Sequence, residues 1–157
     1  MKALITGASS GIGLEMARIL SREGFELILV AREKEKLQKV QEELGKNVKI
    51  VVADLSNESK LKELYVLCKN DKIDVLINNA GFGDCGKFTE TDLSKELEMI
   101  DVNIKAVHVL TKLFLKDMKK RNSGYILNVA SMAAFAPGPL MATYYSTKAY
   151  VLRLTTS

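Results

Sequence analysis

Tyr144, Lys148 and Ser131 are the residues whose types and spacing could perform acid–base chemistry. Tyr144 and Lys148 stand four positions apart, one helical turn, so their side chains share a helix face. Ser131 precedes Tyr144 by thirteen residues and follows an apolar run, Tyr125 to Val129. A free phenol ionises near pH ~10, so a phenol working near neutrality needs a neighbour that stabilises its anion. An ammonium one turn away does that. A hydroxyl nearby can polarise a carbonyl as charge develops on its oxygen. The spacing alone is weak evidence, because Tyr65 and Lys69 repeat it. That second pair lies on a Lys- and Glu-rich segment that reads as a solvated helix face. The Tyr144 pair needs support from the elements that would position it.

Those elements alternate. Lys2–Thr6 reads as a strand and Ile12–Glu23 as a helix closed by Gly24. Glu26–Val30 is a second strand, and a charged helix runs from Glu33 to Leu44 and stops at Gly45. Val48–Ala53 is a third strand, after which Ser56 can cap a helix reaching about Lys69. Ile73–Ile77 is a fourth strand, and one long helical stretch runs from Asp92 to about Lys120. Tyr125–Val129 is a fifth strand, and the helix carrying Tyr144 starts near Met141. The strands are β-branched and almost continuously apolar, as strands covered on both faces are. Such alternation implies an α/β fold, a Rossmann-type doubly wound parallel sheet of about five strands in the order 3-2-1-4-5. The whole chain, 1–157, reads as one dinucleotide-binding domain. Both prolines, Pro137 and Pro139, fall in the loop after the fifth strand, at the carboxyl end of the sheet where ligands bind in such folds.

The first strand–helix junction reads Thr6-Gly7-Ala8-Ser9-Ser10-Gly11-Ile12-Gly13. Glycines there let a pyrophosphate approach the backbone, and the helix N-terminus offers free N–H groups to it. No Lys-Ser or Lys-Thr follows the last glycine, so this is not a triphosphate P-loop. After the second strand, where NAD-binding folds usually carry an acid for the ribose 2′-OH, this chain has Ala31 and Arg32. A guanidinium suits a 2′-phosphate through bidentate charge-assisted hydrogen bonds, which favours NADP(H) over NAD(H).

With Asp54 after the third strand, Asn78-Asn79-Ala80-Gly81 after the fourth and Asn103 in the long helix, the chain resembles a short-chain dehydrogenase/reductase of the single-domain type. The motifs occur in the family's order from the first strand to the last helix. The glycine spacing also argues against the family's longer, epimerase-type branch. The resemblance implies an NADP(H)-dependent oxidoreductase acting on a carbonyl or alcohol. It implies that Asp54 and the backbone of Leu55 contact adenine, and that Asn79, with Ala80 and Gly81, faces the adenosine ribose. It implies that Tyr144 is the general acid/base, that Ser131 orients the substrate carbonyl and that Lys148 binds the nicotinamide ribose. Asn103 would hold a water in a proton relay to Lys148. Family members continue past this helix through two more strands and a mobile segment. Since the sequence here stops at Ser157 with no glycine cap or proline stop, the expectation is a fragment lacking the last strands. The alternative to an active enzyme is then a nucleotide-binding remnant that does not turn over.

Composition narrows the other classes. With 47% hydrophobic and 27% charged residues the chain is ordinary for a globular protein. No apolar run approaches the ~20 residues of a membrane span. Met1 leads straight into a strand, so a cytoplasmic protein is expected. Cys68 and Cys85 lack metal or redox spacing, and the lone His108, between Val107 and Val109, reads as a packed helix residue. No metal site is expected. The net charge of +4 is mild, and the Lys116–Arg121 cluster lacks interleaved aromatics, so it reads as solvated surface rather than a nucleic-acid patch. An exposed fifth strand and the resemblance both imply a homodimer or homotetramer.

Overall fold

Five short apolar runs pair in parallel in the order β3-β2-β1-β4-β5, as the alternation predicts. The computed structural model describes residues 1–157. In chain order the elements are β1 (Lys2–Thr6), α1 (Gly11–Arg22), β2 (Glu26–Ala31), α2 (Lys34–Leu44), β3 (Val48–Val52), α3 (Glu58–Cys68) and β4 (Val75–Asn78). There follow α4 (Leu93–Ile100), a π-helical segment (Asp101–Ala106), α5 (Val107–Lys120), β5 (Tyr125–Asn128), a 3-10 turn (Met132–Ala134) and α6 (Ala142–Thr156). β1 is central, with Lys2 opposite Glu26 of β2 and Ala3 opposite Val75 of β4.

Side chains alternate across each strand, so the sheet builds two cores. Leu4, Ile28 and Val30 pack with Leu61 and Leu64 of α3 and Leu110 and Phe114 of α5. Ala3, Ile5, Leu27 and Leu29 pack on the other face with Leu37 and Val40 of α2. Each fully buried Leu or Ile contributes about 1.5–3 kcal/mol, and Leu4, Ile5, Leu27 and Leu29 are all at most 1% exposed. The central strands are therefore rigid, and the site stands on their carboxyl ends.

Four expectations are corrected. Ser56 does not cap α3: its backbone N–H and hydroxyl donate to Asp54 Oδ1, and Asn57 accepts from Ser59 N instead. The long helical stretch is not uniform, since a π-helical segment separates α4 from α5. A π-bulge inserts a residue into the helix and re-aims its side chains. His108 is exposed rather than packed, and its Nδ1 lies 2.7 Å from Tyr150 Oη. Tyr65 is not on a solvated face: it packs edge-on against Phe114 and donates to Asp117 Oδ2 at 2.7 Å. β5 forms one edge of the sheet, with Tyr125 and Leu127 exposed. No helix is long and apolar enough to cross a membrane.

Candidate active site

Between β1 and β4 the strand order reverses, and a crevice opens there at the carboxyl ends of the strands. It is a cavity of about 910 Å³. The glycine loop forms its floor. Gly7 takes φ +66°, and a Cβ there would meet Ala80 Cα at 2.8 Å and Asn79 Nδ2 at 2.9 Å. Only glycine suits that conformation and that approach. A Cβ on Gly13 would run into Asn79 Nδ2 and the Gly7 carbonyl, so helix α1 sits hard against the loop. Gly11 differs: it has nothing within 4 Å of its Cβ position and lines the cavity. Ser9, Ser10 and Ile12 line it too. Ser10 makes no side-chain cap, and the first turn of α1 carries no acid. The free N–H groups and positive dipole end therefore stay available for an anion. A cradle of this shape fits the pyrophosphate of a dinucleotide.

Asn79 holds the loop in place. Its Nδ2 donates to the carbonyls of Thr6 and Gly7 at 3.0 and 3.2 Å. Thr6 Oγ1 in turn accepts from the backbone of Asn79 and Ala80, both at 3.0 Å. Asn79, Ala80 and Gly81 all line the cavity. Arg32, Asp54 and Leu55 line its far end, beyond β2 and β3, and Val102 lines the cavity too. Arg32 is not free: its Nη1 donates to Glu98 Oε1 on α4 at 2.7 Å.

At the opposite end stand Tyr144 and Lys148, both lining the cavity from α6. Lys148 Nζ lies 6.0 Å from the centre of the Tyr144 ring and donates to the Val129 carbonyl at 2.9 Å. Lys148 is only 6% exposed, and burial pushes its ammonium below the ordinary value of 10.5. At Tyr65 the hydrogen bond to Asp117 pushes the phenol pKa up. Its anion is disfavoured, and neither Tyr65 nor Lys69 lines the cavity.

Asn103, in the π segment, is 1% exposed. Its side chain is a clamp. Nδ2 donates to the Phe82 carbonyl at 2.9 Å and to Thr147 Oγ1 at 3.0 Å, and Oδ1 accepts from Phe82 N at 3.1 Å. Thr147 Oγ1 donates onward to the Tyr144 carbonyl at 2.7 Å. The π segment is thus tied to the turn of α6 that carries Tyr144. Gly81 leaves the gap that lets Asn103 and Lys148 come together: a Cβ there would lie 3.0 Å from Asn103 Oδ1 and 3.4 Å from Lys148 Nζ. Ser131 is next to Ala130, which lines the cavity, but is not itself a lining residue. Its Oγ accepts from Ala133 N at 3.1 Å, capping the 3-10 turn. The structure therefore gathers Tyr144, Lys148, Asn103 and the glycine loop and leaves Ser131 at the margin.

Several lining residues escape sequence reasoning. Gly83, Asp84 and Cys85 continue the wall beyond Gly81, Met141 closes it beside Tyr144, and Val102 lines the cavity as well. The only available signal was that the Asn-Asn-Ala-Gly turn runs on into a second glycine at Gly83.

Residues 1–157 match the short chain dehydrogenase family throughout. The chain belongs to that family. Among its relatives, an uncharacterized oxidoreductase of Staphylococcus epidermidis is 35% identical over 157 residues, which is 99% of this chain and 68% of the relative. Two solved structures superpose closely. A short-chain dehydrogenase from Sphingobium yanoikuyae in complex with NADPH has a TM-score of 0.94 at 35% identity, with 99% of this chain and 63% of that one covered. The bulky-bulky ketone specific alcohol dehydrogenase from Comamonas testosteroni has a TM-score of 0.94 at 34% identity, with coverages of 99% and 64%. This short-chain dehydrogenase chain thus spans about two thirds of the length of its relatives.

Proposed function

We propose that the protein is an NADP(H)-dependent oxidoreductase that interconverts a carbonyl and an alcohol on a small molecule. The observation that carries this reading is that Tyr144 and Lys148 line the same cavity as the glycine loop. The bound nicotinamide would donate or accept the hydride at the substrate carbon. Gly7, Ser9, Ser10, Gly11, Ile12 and Gly13 form the pyrophosphate cradle. Asp54 and Leu55 border adenine, and Asn79, Ala80 and Gly81 border its ribose. Arg32 meets the 2′-phosphate. Tyr144 moves a proton at its Oη to or from the substrate oxygen, and Lys148 binds the nicotinamide ribose and stabilises the phenolate. Asn103 positions this pair through Phe82 and Thr147. Ser131 polarises the substrate oxygen through its O–H, which the bond accepted from Ala133 N leaves free to donate. The NADPH-bound neighbour from Sphingobium yanoikuyae and the ketone-specific neighbour from Comamonas testosteroni support the cofactor and the substrate class. Two unpaired thiols, Cys68 and Cys85, suit a reducing, cytoplasmic setting.

A second reading rests on Ser131, which is not among the residues that line the cavity. On that reading the chain binds the dinucleotide but does not turn over. Oxidation of NADPH in the presence of a panel of ketones, alongside calorimetric titration of NADPH, separates the two. Turnover is expected. Clear NADPH binding with no oxidation of any ketone would favour the second reading, and no binding would remove both.

Self-association into a homodimer or homotetramer belongs to the same proposal. Exposed Tyr125 and Leu127 on the edge strand, with Leu97 and Leu115 on α4 and α5, provide apolar contact area. Light scattering is expected to give a mass at least twice that of the 17.4 kDa chain. A clean monomer at high protein concentration counts against it.

A further inference from the structure

We infer that Glu98 is a specificity-determining residue for the cofactor: its carboxylate competes with an adenosine 2′-phosphate for the Arg32 guanidinium. The inference rests on the reading above that Arg32 meets that phosphate. Arg32 follows β2 and lines the adenine end of the cavity. Glu98 reaches it from α4, one turn before Val102, which lines the cavity. The 2.7 Å bond from Nη1 to Glu98 Oε1 therefore ties a lining residue of the cavity to α4, which does not itself line it, across 66 positions of sequence.

The chemistry of competition follows from the guanidinium. It presents its donors as a planar fork, and a phosphate is held best by two parallel donors. One arm of Arg32 is already committed to a carboxylate. A phosphate arriving there must displace Glu98 or bind through the Nη2 and Nε donors that Glu98 leaves free, and in either case it meets a second negative charge at short range. A ribose that carries only a 2′-OH brings no charge and meets no such penalty. The other two acids here do not pair with Arg32: Asp54 Oδ1 accepts from the backbone N–H and hydroxyl of Ser56. Glu33 lines the cavity, but its carboxylate is paired with Lys36 at 2.8 Å. Glu98 is the one acid that pairs with Arg32. Both partners are substantially solvent-exposed, at 61% and 38% for the side chains, so the competition is graded and salt-sensitive. Glu98 thus restrains a preference that Arg32 alone would make stronger.

The test is calorimetric titration of NADPH and NADH into the wild-type protein, Glu98→Gln, Arg32→Ala and the double variant. Glutamine keeps the shape of Glu98 and removes its charge. Glu98→Gln is expected to tighten NADPH about 2- to 5-fold, the range that an exposed ion pair is worth, and to leave NADH within about 2-fold. Arg32→Ala is expected to weaken NADPH selectively and to abolish the gain from Glu98→Gln. NADPH affinity that is unchanged or lowered in Glu98→Gln overturns the inference and leaves the role of Arg32 intact. A gain that persists in the Arg32→Ala background also overturns it, because the effect then does not pass through Arg32. If Arg32→Ala itself leaves NADPH affinity unchanged, the assignment of the 2′-phosphate to Arg32 fails, and the competition fails with it.

Discussion

Tyr144→Phe is expected to lower turnover by about 10²- to 10⁴-fold, the usual worth of a positioned general acid or base. NADPH affinity should stay within about 2-fold, and the melting temperature should not move. The structure explains why the loss is confined to chemistry. The Tyr144 ring supplies contact to the wall at Gly83 and lies edge-on to Tyr145, and phenylalanine keeps both. The phenol oxygen is not a buried orphan, and the α6 backbone is held through Thr147 to the Tyr144 carbonyl rather than through its hydroxyl. The substitution therefore removes one oxygen from the cavity and no internal hydrogen bond of the clamp. Tyr65→Phe is the matching control. It loses the bond to Asp117 on α3–α5 packing but has no place in the cavity, so turnover should be unaffected. Undiminished turnover in Tyr144→Phe would remove the acid–base assignment.

The sheet order was legible because each strand is a short β-branched run and each crossover a longer amphipathic one. The glycine loop was legible because three glycines at one strand–helix junction have few other uses. What the sequence hid falls into two physical kinds. Contacts between distant segments leave no local pattern: nothing near Arg32 announces Glu98, and nothing near Asn103 announces Phe82 and Thr147. Local competition between equivalent groups is also unreadable. Ser56 and Asn57 are both good caps, and only the capture of Ser56 by Asp54 decides between them. His108 misled for a third reason. Its neighbours Val107 and Val109 point about 100° away on either side of the helix, so their apolar character says little about the face His108 occupies. The π segment likewise adds one residue to a turn without disturbing the apolar pattern around it. It is nonetheless what brings Asn103 into the clamp.

Lys148→Met is expected to separate stability from activity. Lys148 is a buried ammonium with one hydrogen bond, to the Val129 carbonyl, and with no carboxylate partner. Desolvation disfavours its charged form and holds its pKa below 10.5 in the folded chain. The unfolded chain then binds more protons than the folded one between the folded value and 10.5, so stability rises with pH across that window. Below it the full cost of the buried charge is present. Methionine has similar volume and no charge, and the Val129 carbonyl it abandons lines the cavity, where water can reach it. Urea denaturation at neutral pH should therefore show the variant at least as stable as the wild type, with any advantage shrinking as pH rises towards 10.5. Turnover should move the other way, by about 10²-fold or more, since the phenolate of Tyr144 loses its cation and the ribose its donor. Stability and turnover falling together in Lys148→Met would instead mark Lys148 as a structural anchor of α6, and the proton chemistry at Tyr144 would need another source of positive charge.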